Sequence, residues 1–386
     1  MTKFFRKLVE REVGYLAGFL YRKFRPYVIG VTGSSGKTTT KYMIGELLST
    51  VKSNILVSSG NLNTEIGLPL AMIGYQGAPE KFWGWIWVFL SAPVKTFFRL
   101  KYPPYLVLEY AADRPRDIEY LTSIVPPDIA VIVNIGVAHL AAFKKFENII
   151  REKWILAQSA QQFVVCDNSV LKKVEALKEP KAKIVETGIA ENVKIQNEEK
   201  LTNGTEFELI LRGKKYNCRT KFMGRHNLGN LELALIAAHL ATGERDELVK
   251  KIETLEPLEG RGRKFIGENE IVVIDESYNA NPLSMLAAIE VFSSIKAGRK
   301  VAILGEMCEI GEITAASHRE IAKRVKSIAT LTVGVGESFK ECGLDKWYPS
   351  VEELKADIKQ ILQKGDTVLI KGSLSNRLKE IVEILK

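Results

Sequence analysis

The sequence predicts an α/β protein: a parallel-sheet domain built around a phosphate-binding loop, followed by a second, doubly wound α/β domain. Three observations predict it. A short β-branched strand, Tyr27 to Val31, runs through a glycine-bounded loop into a helix opened by Lys37 and three threonines (YVIGVTGSSGKTTT). Short apolar strands with polar ends, at 105–109, 129–134 and 163–166, alternate with helical stretches behind it. From Leu255 a Pro/Gly-punctuated basic segment, EPLEGRGRKF, interrupts the pattern. Strands at 271–275, 300–304, 331–335 and 367–371 then alternate with helices again.

The first 26 residues precede the phosphate loop. Phe4, Phe5, Leu8, Val9, Leu16, Phe19, Leu20 and Phe24 recur at helical spacing, with Arg6, Lys7, Arg11, Arg22, Lys23 and Arg25 between them. This basic amphipathic helix either packs on the domain behind it or lies on an anionic membrane surface. After the first helix of the domain comes a strand at 54–59, then the loop GNLNTEIGLPL. Its Asn61, Asn63 and Thr64 are candidates for substrate contact. Residues 81–104 form an aromatic insertion: FWGWIWVFL, a break at Pro93, then VKTFFRLKYPP. Trp83, Trp85 and Trp87 lie in a run too short to cross a bilayer. It reads equally as an interfacial anchor or as a buried helical hairpin.

Strands 105–109 and 129–134 follow, with His139 close behind the second. Lys153 falls in the middle of a helix running from Glu147 to Gln162. Residues 183–223 alternate short β runs with turns at Asn203-Gly204 and Arg212-Gly213 and read as antiparallel. GRHNLGN, 224–230, opens a long Ala/Leu helix. The chain therefore divides into an N-terminal helix (1–26), a central nucleotide-binding domain (27–256) and a C-terminal α/β domain (257–386).

At 386 residues the chain is long for one domain. Its net charge of +9 suits nucleic acid, an anionic membrane or an acidic substrate. No zinc-finger spacing or stacking-aromatic RNA motif supports the first, so no nucleic-acid partner is expected. The four cysteines (Cys166, Cys218, Cys308, Cys342) form no CxxC pair and fit reduced thiols of a cytoplasmic protein. No signal peptide and no membrane-spanning run is visible.

The strand–loop–helix order carries the chemistry. Backbone N–H groups of Gly33, Ser34, Ser35, Gly36 and Lys37 can point into one concavity, and the helix N-terminus adds partial positive charge. Lys37 adds a full charge, and the hydroxyl of Thr38 is placed for Mg²⁺, with Thr39 beside it. The usual first glycine of such a loop is Val31 here. Glu109, His139 and Lys153 are weak signals singly. Beside a phosphate loop they suggest a metal-and-phosphate site, because Mg²⁺ prefers oxygen ligands and ATP chemistry needs its charge neutralised.

At this point the chain resembles the Mur ligase family, in particular the MurF type that adds the terminal dipeptide in peptidoglycan precursor synthesis. The matching segments include VTGSSGKTTT, NLNTEIGLPL, PPDIAVIVNIGVAHLAAF, the REKWIL helix, MGRHNLGNLELALIAA, PLEGRGR, VVIDESYNANPLSM and VLIKGS, in order over about 27–375. The resemblance implies a central P-loop ATPase domain with a parallel sheet and a C-terminal Rossmann-like domain. It also implies an ATP-dependent, ADP-forming amide ligase that converts a carboxylate to an acyl phosphate for attack by an amino acid or dipeptide amine. By motif position, Lys37 holds the β- and γ-phosphates. Thr38 and Glu109 share one Mg²⁺; His139 and a carbamylated Lys153 hold a second. Asn227 and Asn230 mark the adenine region, and Arg261 reaches the γ-phosphate. Asp275 contacts the ribose or organises the closed state. Tyr278, Asn279 and Asn281 flank the base, while Lys371 and Ser373 face the incoming amine.

Set against the family, the chain is expected to lack the N-terminal uridine-nucleotide-binding domain and to carry the aromatic insertion as an extra. The expectation is an acceptor borne on a lipid or free of nucleotide, or a partner subunit that supplies recognition. A cytoplasmic enzyme peripheral at the inner membrane face, held through 1–26 and 81–104, follows. A polyglutamate or cofactor ligase, and a P-loop ATPase or switch without ligase activity, remain as alternatives.

Overall fold

A computed structural model describes residues 3–60 and 62–386, with side chains from Phe5 onward. The chain opens with α1 (Lys3–Phe24), β1 (Tyr27–Thr32), α2 (Lys37–Ser49), β2 (Ile55–Val57), α3 (Gly67–Ile73) and α4 (Phe82–Phe97). It continues with β3 (Tyr105–Glu109), α5 (Asp117–Ile124), β4 (Ile129–Ile132), α6 (Leu140–Phe143), α7 (Phe146–Gln158), β5 (Phe163–Cys166), α8 (Asn168–Val174) and β6 (Lys183–Glu186). The six strands form one parallel sheet in the order β2-β3-β1-β4-β5-β6. β1 is apolar along its length because it lies at the sheet centre, covered on both faces.

An antiparallel sheet of β7 (Val193–Leu201), β8 (Gly204–Leu211) and β9 (Lys214–Thr220) follows, then α9 (Arg225–Thr242) and α10 (Asp246–Lys251). The antiparallel reading of 183–223 therefore holds from β7 onward. β6 instead joins the parallel sheet, where a fully buried neighbour in β5 gives its short apolar centre a partner. The second six-stranded sheet has the order β10-β11-β15-β12-β13-β14. Only β10 (Arg263–Ile266) runs antiparallel, pairing with β11 (Val272–Glu276). α11 (Pro282–Ser294), β12 (Lys300–Gly305), α12 (Thr314–Lys326), β13 (Leu331–Val335), β14 (Lys346–Tyr348) and β15 (Thr367–Lys371) complete the element set used below.

α1 resolves one of the two readings of the N-terminus. Val9, Val13, Leu16, Ala17 and Leu20 are buried and belong to the core on one face of the first sheet. The helix packs against α3, α4 and α5, and the Tyr120 hydroxyl donates to the Glu10 carbonyl at 3.2 Å. Each fully buried aliphatic chain in this stripe contributes about 1.5–3 kcal/mol. The apolar face is thus occupied by the domain and is not available to a bilayer.

α4 corrects a second expectation. Pro93 does not break the chain; it lies inside a continuous helix. Val88, Ala92 and Thr96 are buried on its inner side, spaced so that packing holds the helix together across the proline. The bond lost at the missing N–H and the ring clash cost about 3 kcal/mol, which this packing offsets. α1 and α4 lie side by side in the same direction, with Phe5 against Phe82 and Phe19 against Phe97, ring centroids 5.4 and 5.1 Å apart. Among the described residues no helix is long and apolar enough to cross a membrane.

Candidate active site

The phosphate loop, the start of α9 and the β11–α11 loop of the second domain enclose a cavity of about 690 Å³. Ser34, Ser35, Gly36, Lys37, Thr38 and Thr39 form one wall. Gly36 has φ +76°, and a Cβ placed there would lie 2.7 Å from Asn230 Oδ1, so α9 presses on the loop where it turns into α2.

The loop is braced by a residue the sequence reading did not single out. Asn134 Oδ1 accepts from the N–H groups of Ser34 (3.1 Å) and Ser35 (3.0 Å). Asn134 Nδ2 donates to the Ser35 carbonyl at 3.0 Å. The Ser34 hydroxyl donates to Gly136 O at 2.6 Å. Two of the N–H groups expected to face a phosphate are therefore already engaged. Those of the first turn of α2, which have no intrahelical partner, are left to receive an anion.

Glu109 ends β3 and is buried. Thr38 Oγ1 donates to its Oε2 at 2.9 Å, Asn63 Nδ2 donates to its Oε1 at 2.9 Å, and Lys41 Nζ lies 3.2 Å from Oε2. Burial alone would raise this carboxyl. Lys41, Lys37, the Asn63 bond and Arg261 outweigh it and hold Glu109 below its ordinary value. Lys41, four residues along the helix from Lys37, reads in sequence as a solvated helix charge, and no local signal marks its burial.

Lys37 and Lys153 both donate to the Gly33 carbonyl, each at 2.9 Å. Burial, then Arg261 and Lys41, push Lys37 down, against the pull of Glu109. Burial, then Lys37, push Lys153 down to about 7. Neither Lys153 nor Gly33 lines the cavity. His139 caps the short α6 in a left-handed conformation, φ 53°. Its Nδ1 is 2.6 Å from Glu309 Oε2 of the second domain and its Nε2 3.7 Å from Asp113 Oδ1. Burial leads the causes that lower its pKa, with Lys37 and Lys153 adding to it.

The far wall comes from α9 and the second domain. Asn227 and Asn230 line it; Asn227 Nδ2 donates to Met223 O, and Asn230 Nδ2 to Asn227 Oδ1. The Arg261 guanidinium stacks 4.0 Å over the Tyr278 ring, and both residues line the cavity. Asp275 does not. Its buried carboxylate accepts from Gly260 N (2.7 Å) and from Ser277 N and Oγ (3.1 and 2.6 Å), fixing the loop that carries Arg261. Asn279 and Asn281 line the cavity. Asn281 Oδ1 caps α11 through Ser284 N (2.9 Å), and its Nδ2 donates to Ser34 O (3.1 Å). Asn281 as placed sits against the phosphate loop. Lys371 Nζ donates to Glu276 Oε2 (3.2 Å) and Asn279 O (3.0 Å) at the cavity edge. Ser373 lies behind it, accepting from Cys308 N at 3.0 Å. Asn63 lines the cavity and holds Glu109 in place. Thr64 instead accepts from Gly67 N at 3.4 Å, and Asn61 falls outside the described residues. Cavity-lining His226, Glu276 and Asp113 were not singled out: Glu276 falls one residue past the strand read at 271–275, His226 sits within the GRHNLGN run, and Asp113 lies in the loop after β3.

Residues 31–81 and 94–238 match the Mur ligase middle domain, and 260–374 match the Mur ligase glutamate ligase domain. The chain is 28% identical to a UDP-N-acetylmuramoyl-tripeptide--D-alanyl-D-alanine ligase of Borreliella burgdorferi, over 96% of this chain and 77% of that one. It is 28% identical to the enzyme of the same name from Bacillus subtilis, over 93% and 75%. Among solved structures, MurF of Thermotoga maritima in complex with ADP superposes with a TM-score of 0.80 at 26% identity, covering 97% of this chain and 83% of that one. MurF of Acinetobacter baumannii gives 0.81 at 27% identity, covering 97% and 80%.

A two-lobed cleft closing on a phosphate loop, joined to these matches, defines an ATP-dependent ligase that forms carbon–nitrogen bonds. Its α/β fold class is the one expected from the sequence. The chain belongs to the Mur ligase family.

Proposed function

We propose that the chain acts in cell-wall precursor synthesis, joining the carboxylate of a peptide-bearing acceptor to the amine of D-alanyl-D-alanine or a similar dipeptide. A carboxylate oxygen attacks the γ-phosphorus of ATP, forming an acyl phosphate and releasing ADP. The amine nitrogen then attacks the acyl carbon, loses its proton, and phosphate leaves as the amide forms. The observation that carries this reading is Thr38 Oγ1 bonded to the buried Glu109 carboxylate at the mouth of a cationic phosphate loop.

Roles follow from position. Lys37 and the first turn of α2 would bind the β- and γ-phosphates. Arg261, held flat over Tyr278, would stabilise charge on the transferred phosphoryl group. Lys371 would face the amine. Thr38 and Glu109 are oxygen donors of the kind Mg²⁺ takes; they would hold one ion, which when bound neutralises phosphate charge. Among the described residues no three or more His, Cys, Asp or Glu side chains converge on a point. A second ion would therefore need His139 together with a modified Lys153. An amine titrating near 7 is substantially neutral in the cell. Its nitrogen lone pair can attack carbon dioxide, and loss of a proton leaves a carbamate, an oxygen ligand in place of an ammonium. We place the enzyme in the cytoplasm, at the inner membrane face.

The test follows ADP release with UDP-N-acetylmuramoyl-tripeptide and D-alanyl-D-alanine, together and separately. The ligase reading expects release only when both are present. ATP turnover without them would point to a switch instead.

A further inference from the structure

The outer face of α4 has no role in the cleft. Trp83, Trp87, Leu90, Val94 and Phe98 recur at helical spacing and are exposed, from 58% for Val94 to 80% for Phe98. The inner face is separate: Val88, Ala92 and Thr96 are buried in the domain. A soluble surface does not ordinarily carry five large apolar side chains in one stripe. Family membership does not require it either, because 82–93 lies between the two matched stretches of the middle domain.

Charge identifies what covers the stripe. From Lys81 to Leu108 the chain has four cations, Lys81, Lys95, Arg99 and Lys101, and no carboxylate. Lys81 stands at one end of the helix, and Lys95 and Lys101 are exposed at the other. From α1, Lys23 Nζ donates to the Arg99 carbonyl at 3.0 Å and adds its charge at the same end. Leu100 is 89% exposed among them. Exposed tryptophans flanked by lysines, on a helix of about 24 Å that lies along the surface, match the bilayer interface, where indole rings settle at headgroup depth.

We propose that the outer face of α4 with the Phe98–Lys101 turn docks on a bilayer containing anionic phospholipid, α1 contributing cations and not its apolar face. This deepens the location given under the proposed function by naming the surface that makes the contact. Trp83, Trp87 and Leu90 enter the interface, and Lys81, Lys95, Lys101 and Lys23 pair with lipid phosphates.

The full-length chain is sedimented with vesicles of phosphatidylcholine alone and with phosphatidylglycerol added, while tryptophan emission is recorded. Partition should be at least about tenfold stronger on anionic vesicles, with blue-shifted emission, and should weaken as salt is raised. Trp83→Ser/Trp87→Ser/Leu90→Ser should lose at least about tenfold of the binding, and Lys95→Glu/Lys101→Glu should remove the preference for anionic lipid. The circular dichroism melts of both variants should stay close to the parent's, since the substituted side chains are exposed and only surface ring contacts, Lys95 over Tyr75 and Trp83 against Phe82, are given up. Absence of binding by the full-length chain overturns the proposal, as does binding unchanged in both variants. A lipid-free dimer that the triple variant abolishes also overturns it, assigning the face to a second copy. ATP turnover by the triple variant without lipid should equal the parent's. Lost vesicle binding with full ligation confirms the surface. Intact vesicle binding by a parent chain that does not ligate would remove the ligase reading and leave this one standing.

Discussion

Asn281 Nδ2 donates to the Ser34 carbonyl at 3.1 Å, joining residues 247 positions apart and tying the second domain to the phosphate loop. The same side chain caps α11 through its oxygen. Asn281→Ser keeps a capping oxygen, since serine caps helices about as well as asparagine, and removes the amide donor, so the two roles separate. Thermal stability should change by less than about 1 kcal/mol. kcat/KM for ATP should fall about tenfold, the size of one lost hydrogen bond. A melt and an ADP-release assay on one preparation check it.

Gly36→Ala should be costly twice over. Its left-handed backbone disfavours a Cβ, and the Asn230 amide fills the space. A loss of about 1–3 kcal/mol is expected, with ATP binding impaired. Adding Asn230→Ala should restore only the part due to crowding, as denaturant melts of the single and double variants would resolve.

Lys41→Met should shift the pH profile. Burial raises the Glu109 carboxyl, and Lys41 is the largest of the effects that pull it back below its ordinary value. Without Lys41 the carboxyl titrates higher. The acid limb of kcat/KM should therefore move to higher pH, by about one unit or more. An acid limb that does not move would assign it to another group.

His318 is buried in the second domain. Its Nε2 accepts from Met307 N–H at 3.0 Å and its Nδ1 faces Thr314 O at 2.7 Å. Burial leads in lowering its pKa, so the folded chain holds it neutral where the unfolded chain protonates it. The stability it contributes is full above its unfolded pKa of about 6.5 and is lost as pH falls toward and through the lower folded value, at up to about 1.4 kcal/mol per pH unit. Melts of the parent and His318→Gln between pH 7 and 5 should converge as pH drops.

Lys153→Ala should lower ligation at least about a hundredfold, as expected when a positioned ligand to phosphoryl-transfer chemistry is lost. Acetate or formate should restore part of it if a carbamate normally stands there. Intact-mass measurement before and after carbon dioxide removal gives a readout independent of turnover.

The strand–loop–helix core and the parallel strands of both sheets were legible because buried parallel strands must be apolar throughout and the phosphate loop has a local code in Gly33, Gly36, Lys37 and Thr38. Asp275 was legible as a strand end, but its grip on Gly260 was not, because a side chain's partner fifteen residues back leaves no periodic trace. Lys41, Asn134 and Glu309 escaped for the same reason. Each resembles a surface residue until a distant segment closes over it. Pro93 misled because its local rule is breakage, and only the packing of Val88, Ala92 and Thr96 overrides that rule. The amphipathic pattern of α1 identified a helix correctly but could not say which apolar surface it would meet.

The Asn134 brace has a thermodynamic consequence. With Ser34 and Ser35 already stitched to the end of the neighbouring strand, the loop loses its conformational freedom when the chain folds, well before a nucleotide arrives. Binding then starts from a shaped receptacle, and the entropy penalty of moulding it never appears in the affinity.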